Sequence, residues 1–171
     1  IIELTELNND VENLMTNAHV GNLLLDENLE IRRFSSSVTE IFQVRSTDIG
    51  RPLNHLTHRI VNADPMVDVQ SVLDNRRMVR REIQTEDGKW YLMRVLPYQI
   101  GPDIYAGAML SFVDITDLAQ SRENLADSDE RYRSLFDTMD GGVAVYRAVD
   151  NGNDFVFVDF NRGAEAIEGI D

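Results

Sequence analysis

The chain contains no cysteine. That excludes disulfides, thiolate catalysis, cysteine zinc sites and any covalent cysteinyl adduct of a cofactor. It accords with a reducing compartment. Long apolar runs are also missing, and nothing approaches the ~20 residues of a membrane span, so no membrane insertion is expected in this segment. Basic residues are scarce: 16 Lys and Arg stand against 30 Asp and Glu, a formal charge of −14. Such a chain repels phosphate backbones and anionic lipid, which argues against nucleic acid as a partner. The start, Ile1-Ile2-Glu3, has neither an initiator Met nor a charged-then-apolar leader, and reads as cut from a longer protein.

What is present is 171 residues, 43% hydrophobic and 27% charged, enough for one ordinary soluble domain plus extras. The clearest pattern runs from Thr85 to Thr116. Trp90, Leu92, Arg94, Leu96 and Tyr98 alternate with Tyr91, Met93, Val95 and Pro97, a period of two that predicts a strand. A second apolar run, Ile104–Val113, follows a turn at Gly101, Pro102 and Asp103. The pair reads as a long hairpin that ends abruptly in Asp114-Ile115-Thr116, where a polar helical pattern begins.

Residues 1–18 read as a helix. Leu4, Leu7, Val11 and Leu14 are spaced three, four, three, as along a coiled-coil seam. Two readings follow: an amphipathic helix on its own domain, or a parallel helix pair across a dimer. Two short strands, Asn22–Asp26 and Glu30–Phe34, come next, then a short helix Ser37–Phe42 capped by Ser35, Ser36 or Ser37. A short helical turn spans residues 53–56, and a longer helix Pro65–Asn75 carries Val67, Val69, Val72 and Leu73 as its apolar residues. A third strand, Val79–Thr85, leads through an Asp-Gly turn into the long hairpin. The order β-β-α-α-α-β-β-β predicts an α+β domain over residues 19–116, an antiparallel sheet with helices on one face.

A linker helix is expected over residues 117–137. Leu118, Leu125, Tyr132 and Met139 recur every seven residues, with Leu135 beside them, a second seam whose partner positions Ser121 and Ser128 are polar. Residues 138–171 then repeat the opening pattern, with strands Val143–Val149 and Phe155–Phe160 and a short helix from Gly163. Arg33-Phe34-Ser35 matches Asp159-Phe160-Asn161, an internal repeat cut off before its three long strands.

This order, closed by Asp114-Ile115-Thr116 and followed by Arg131-Tyr132-Arg133-Ser134-Leu135-Phe136, resembles the PAS domain. Four segments, 4–14, 31–34, 48–53 and 90–94, resemble the subtype found in bacterial chemotaxis fusions that carry methylesterase and methyltransferase domains ahead of PAS modules. The resemblance implies a five-stranded antiparallel sheet and a signalling role in a cytoplasmic bacterial sensor, usually a homodimer joined to other domains of the same protein. It names no cofactor, since PAS domains differ in what they hold and some hold nothing. It implies that Asp114 pairs with a basic side chain near the start of the domain or helix.

Asp114, Ile115 and Thr116 are therefore the candidate signalling junction. Leu4, Leu7, Val11, Leu14, Leu118, Leu125 and Tyr132 are the candidate dimer seam. No catalytic set is legible, so no enzyme activity is expected of this segment. A cysteine-dependent flavin photosensor is excluded, while non-covalent flavin or a metabolite stays open as the alternative reading. Haem needs an axial ligand, and His55 and His58, three apart on a short helical segment, are the candidates that the helix Pro65–Asn75 does not supply. That histidine pair lacks third and fourth ligands for a metal. Trp90, Tyr91 and Tyr98 read as core and sheet-surface aromatics. Arg76, Arg77, Arg80 and Arg81 form a basic cluster, read as an edge pairing with Glu82 and Glu86 or as an anion site.

Overall fold

The period-two runs become strands. The structure, a computed structural model, describes residues 20–168, so the expected N-terminal helix and its seam of Leu4, Leu7, Val11 and Leu14 lie outside the described residues. The chain divides into two units, one ending at Asp117 and one beginning at Leu118.

The first unit contains β1 (Val20–Leu25), β2 (Ile31–Phe34), α1 (Pro65–Asn75), β3 (Val79–Gln84), β4 (Trp90–Gly101) and β5 (Ile104–Asp114). The strands form one sheet in the order β2-β1-β5-β4-β3, antiparallel throughout. β5, last in sequence, lies in the middle and pairs with both β1 and β4, so Leu110 stands opposite both Leu23 and Val95. The expected α+β class and five-stranded antiparallel sheet are what the structure has.

Alternation decides the two faces. Tyr91, Met93 and Val95 of β4 join Leu23, Leu25, Leu110 and Phe112 in the core, under the segment that links β2 to β3. Arg94 points the other way and is exposed. Phe42 and Phe112 meet edge to face at 5.9 Å inside that core, a favoured geometry for aromatic pairs. One glycine is obligatory for the sheet's path. Gly107 has φ +133°, and a Cβ there would collide with the Leu25 carbonyl and the Asp26 backbone. β4 and β5 slip register just beside it, between Tyr98 and Gln99, as a bulge requires.

α1 matches its expected bounds. Asp64 caps it by accepting from the Met66 N–H at 2.9 Å, Pro65 opens it, and Arg76 closes it at φ 56°. Pro65, Asp68, Val69 and Val72 are buried. Val67, expected on the apolar face, is 63% exposed, because two steps of 100° carry it away from Val69. The short helix expected over Ser37–Phe42 is a 3-10 turn over Ser36–Glu40. Its preceding residue Ser35 makes no side-chain cap. The Ser35 hydroxyl accepts instead from the Asn22 N–H at 2.9 Å and donates to the Val20 carbonyl at 3.4 Å.

The second unit follows α2 (Thr116–Thr138) with a two-stranded sheet of β6 (Ala144–Val149) and β7 (Asp154–Phe160), then α3 (Arg162–Glu168). Its corner repeats the hydrogen bonds of the first unit's, except that Asn161 Oδ1 also accepts the Ala164 N–H and caps α3, whereas Ser35 makes no side-chain cap. Leu23 pairs with Phe34 there, and Ala144 with Phe160 here. Ser35 exchanges bonds with Asn22 through its N–H and its hydroxyl, and Asn161 does the same with Val143 through its N–H and Oδ1. The Ser35 hydroxyl reaches the Val20 carbonyl, and Asn161 Nδ2 reaches that of Gly141. Gly21 lies against Val38 as Gly142 lies against Ala164, each three residues beyond its clamp. The expected internal repeat is thus visible in the hydrogen bonding.

Candidate functional site

The junction is built from the ends of two neighbouring strands. β5 stops at Asp114 and α2 starts at Thr116. Asp114 Oδ1 accepts the Thr116 N–H at 2.9 Å, which satisfies one of the orphan donors of the helix start. Thr116 Oγ1 accepts the Trp90 N–H at 3.0 Å and faces the Trp90 carbonyl at 3.4 Å, while the Ile115 N–H donates to that carbonyl at 2.8 Å. All three junction residues therefore meet at the helix start, and two of them are fastened to the first residue of β4. Trp90 as the anchor was not legible in the sequence, because the pairing links residues 26 apart.

The residues flanking Trp90 lead inward. Lys89 Nζ pairs with Glu40 Oε2 at 2.7 Å, and the Tyr91 hydroxyl donates to that same oxygen at 3.3 Å. Tyr91 is 5% exposed. Its burial pushes its phenol up to about 12, an effect that Lys89 opposes and the Glu40 and Asp114 carboxylates reinforce. The Glu40 hydrogen bond holds the Lys89 ammonium above its ordinary range, with the neighbouring Tyr91 adding to it. A polar chain thus runs Glu40, Lys89–Trp90–Tyr91, Thr116.

Other expected sites are dispersed. His55 ends a 3-10 turn, Leu53–His55, whereas His58 sits in an isolated bridge opposite Phe42, so the two do not share a helical face. The His58 ring meets Phe42 edge-on at 5.8 Å. Among the described residues no group of three metal-ligating side chains occurs. The arginine cluster splits up: Arg81 grips Asp68 with two bonds at 2.7 and 2.8 Å, and Arg76 lies 4.4 Å over the Tyr105 ring. Arg81 thus pairs with a helix carboxylate, because its odd position faces α1. Tyr91 faces the core, and Trp90 lies half-buried on the alternate register. Leu118, Leu125 and Tyr132 line one exposed side of α2.

A sheet of this order, entered and left through the same end and crossed by helical segments on one face, defines a class of small α+β domains. The chain belongs to the PAS domain family: one PAS domain profile matches residues 11–116 and a second matches residues 130–170. A curated relative, an uncharacterized 104.1 kDa protein of Rhodobacter capsulatus, is 34% identical over 113 residues, 66% of this chain. The chain spans 12% of that relative's length. Among solved structures, a PAS domain from Colwellia psychrerythraea matches 65% of this chain and 98% of its own, at 18% identity and TM-score 0.46. A sensory box histidine kinase/response regulator from Burkholderia thailandensis matches 72% of this chain and 98% of its own, at 16% identity and TM-score 0.48. No described helix is long and apolar enough to cross a membrane.

Proposed function

We propose that the chain is a sensory relay segment of a larger signalling protein, in which the sheet of the first unit sets the start of α2. The observation that carries this reading is the fastening of Thr116 and Ile115 to Trp90. A shift of β4 against β5 is felt first at the helix start, because the same residue is both a ladder member and an anchor. Such a relay needs two states whose contacts differ in energy. Here the differing contacts are the Trp90–Thr116 bonds and the Asp114 cap. The output side is the exposed stripe Leu118, Leu125 and Tyr132, which suits pairing with a second copy in a homodimer. The segments resembling chemotaxis methylesterase/methyltransferase fusions favour a cytoplasmic bacterial sensor as the parent protein, with any catalysis in its other domains.

Replacing Thr116 with Val keeps its shape and removes both hydroxyl contacts to Trp90. We expect exchange of the Trp90 N–H, which Thr116 Oγ1 accepts, to accelerate about tenfold, the equivalent of one lost hydrogen bond of about 1.4 kcal/mol, with the core strands unchanged. Unaltered exchange at Trp90 would overturn the junction, and a strict monomer at high concentration would overturn the homodimer.

A further inference from the structure

A cleft of about 330 Å³ opens at the junction end of the first unit, between the 3-10 turn Ser36–Glu40 and the ends of β1, β4 and β5. Small-molecule sites run from ~300 to ~1,000 Å³, so this one suits a compact ligand. Its apolar lining includes Phe112, 1% exposed. Among the described residues its polar part is Ser36, Ser37, Glu40, Tyr91 and Asp114, which offers carboxylate and hydroxyl oxygens, with Lys89 bound to Glu40 beside it. We propose that the cleft binds a small ligand with a primary ammonium or guanidinium group on a short apolar stem, which competes with Lys89 for Glu40.

The count of unused acceptors points to that chemistry. Asp114 spends Oδ1 on the Thr116 N–H, while its Oδ2 and the Ser36 and Ser37 hydroxyls make no side-chain hydrogen bond among the described residues. Glu40 directs one oxygen to both Lys89 and Tyr91. An anionic ligand is repelled by two carboxylates. A neutral apolar ligand would cover oxygens that it cannot satisfy, at a desolvation cost. A cationic donor satisfies both. The Lys89–Glu40 bridge is half-exposed on both sides, and pairs of that kind are weak enough to be exchanged. Because Lys89, Trp90 and Tyr91 are consecutive, a ligand that takes Glu40 from Lys89 acts one residue away from the Thr116 anchor.

The binding claim stands apart from the relay, and only its consequence for α2 rests on the relay reading. Cadaverine and agmatine, titrated into the full chain and followed by backbone amide NMR, test both. We expect saturable shifts at Ser36, Tyr91 and Asp114 with a dissociation constant on the order of 1 mM or tighter, and none with 1-pentanol. Glu40→Gln and Asp114→Asn each weaken binding by about tenfold, as loss of a charge-assisted bond requires. Both side chains are solvent-accessible, so the variants retain the Trp90 fluorescence of the folded chain. Shifts that never saturate, or that persist equally in the double variant, overturn the site. Saturable binding that leaves exchange of the Trp90 N–H untouched supports the site and overturns the relay.

Discussion

Tyr91 shows how one buried phenol ties stability to pH. Its folded pKa, about 12, lies above the ordinary value near ~10, chiefly through burial. The fold therefore favours the protonated ring. That contribution is complete below pH ~10 and is lost as pH rises through 12. Lys89, held above its range by the Glu40 hydrogen bond, acts in the same direction. Removing the phenol alone should therefore lessen the alkaline loss without abolishing it. Tyr91→Phe is expected to begin alkaline unfolding at a higher pH than the parent chain, and ultraviolet titration of the parent should find one of its five tyrosines ionising last. An identical alkaline midpoint for both proteins would refute this account. Trp90, next door, is the chain's one tryptophan and makes the anchor with its backbone alone, so its indole is not what the junction requires.

At the scale of elements, the pin between α1 and β3 is the most instructive. Asp68 is 4% exposed and takes two bonds from Arg81, whose side chain is 48% exposed. Arg81→Met leaves a buried carboxylate without its partner and should cost about 3 kcal/mol, the low end for a broken buried pair because the guanidinium is half in water. Asp68→Leu with Arg81→Met together should recover most of that cost. Denaturant unfolding of the single and double variants checks the order, and a double variant no better than Arg81→Met would refute it. Why the pin was not legible is physical. The hydrophobic period of α1 marks Val69 and Val72 as inward, but a lone Asp at the adjacent position reads as solvated until β3 brings Arg81 over it. The long strands and α1 were legible because their periods extend over many residues. The 3-10 turns Ser36–Glu40 and Leu53–His55 were legible in place but not in kind, since three to five residues carry no period, and the expected helical segment shared by His55 and His58 is absent for that reason. The cleft was the least legible feature: it depends on Glu40 meeting Lys89 and Tyr91 across 49 and 51 residues.

At the scale of the molecule, the two units are unequal. The first closes a five-stranded sheet around a core, and the second has two strands with Phe155, Phe157 and Val158 about half or more exposed. A two-stranded hairpin alone is marginal in water. Trp90 belongs to the first unit, so its fluorescence reports that unit only. We expect denaturant unfolding followed by fluorescence to be a single late transition, while circular dichroism also shows an earlier loss from the second unit, a mismatch that signals departure from two-state behaviour. Superimposable curves would count against independent units. The corner that both units share, Gly21 with Ser35 and Gly142 with Asn161, has a consequence for grafting. Both hairpins slip register at the same step beyond the clamp, so a hairpin moved from one unit to the other at the clamp residue is expected to keep its pairing on both sides.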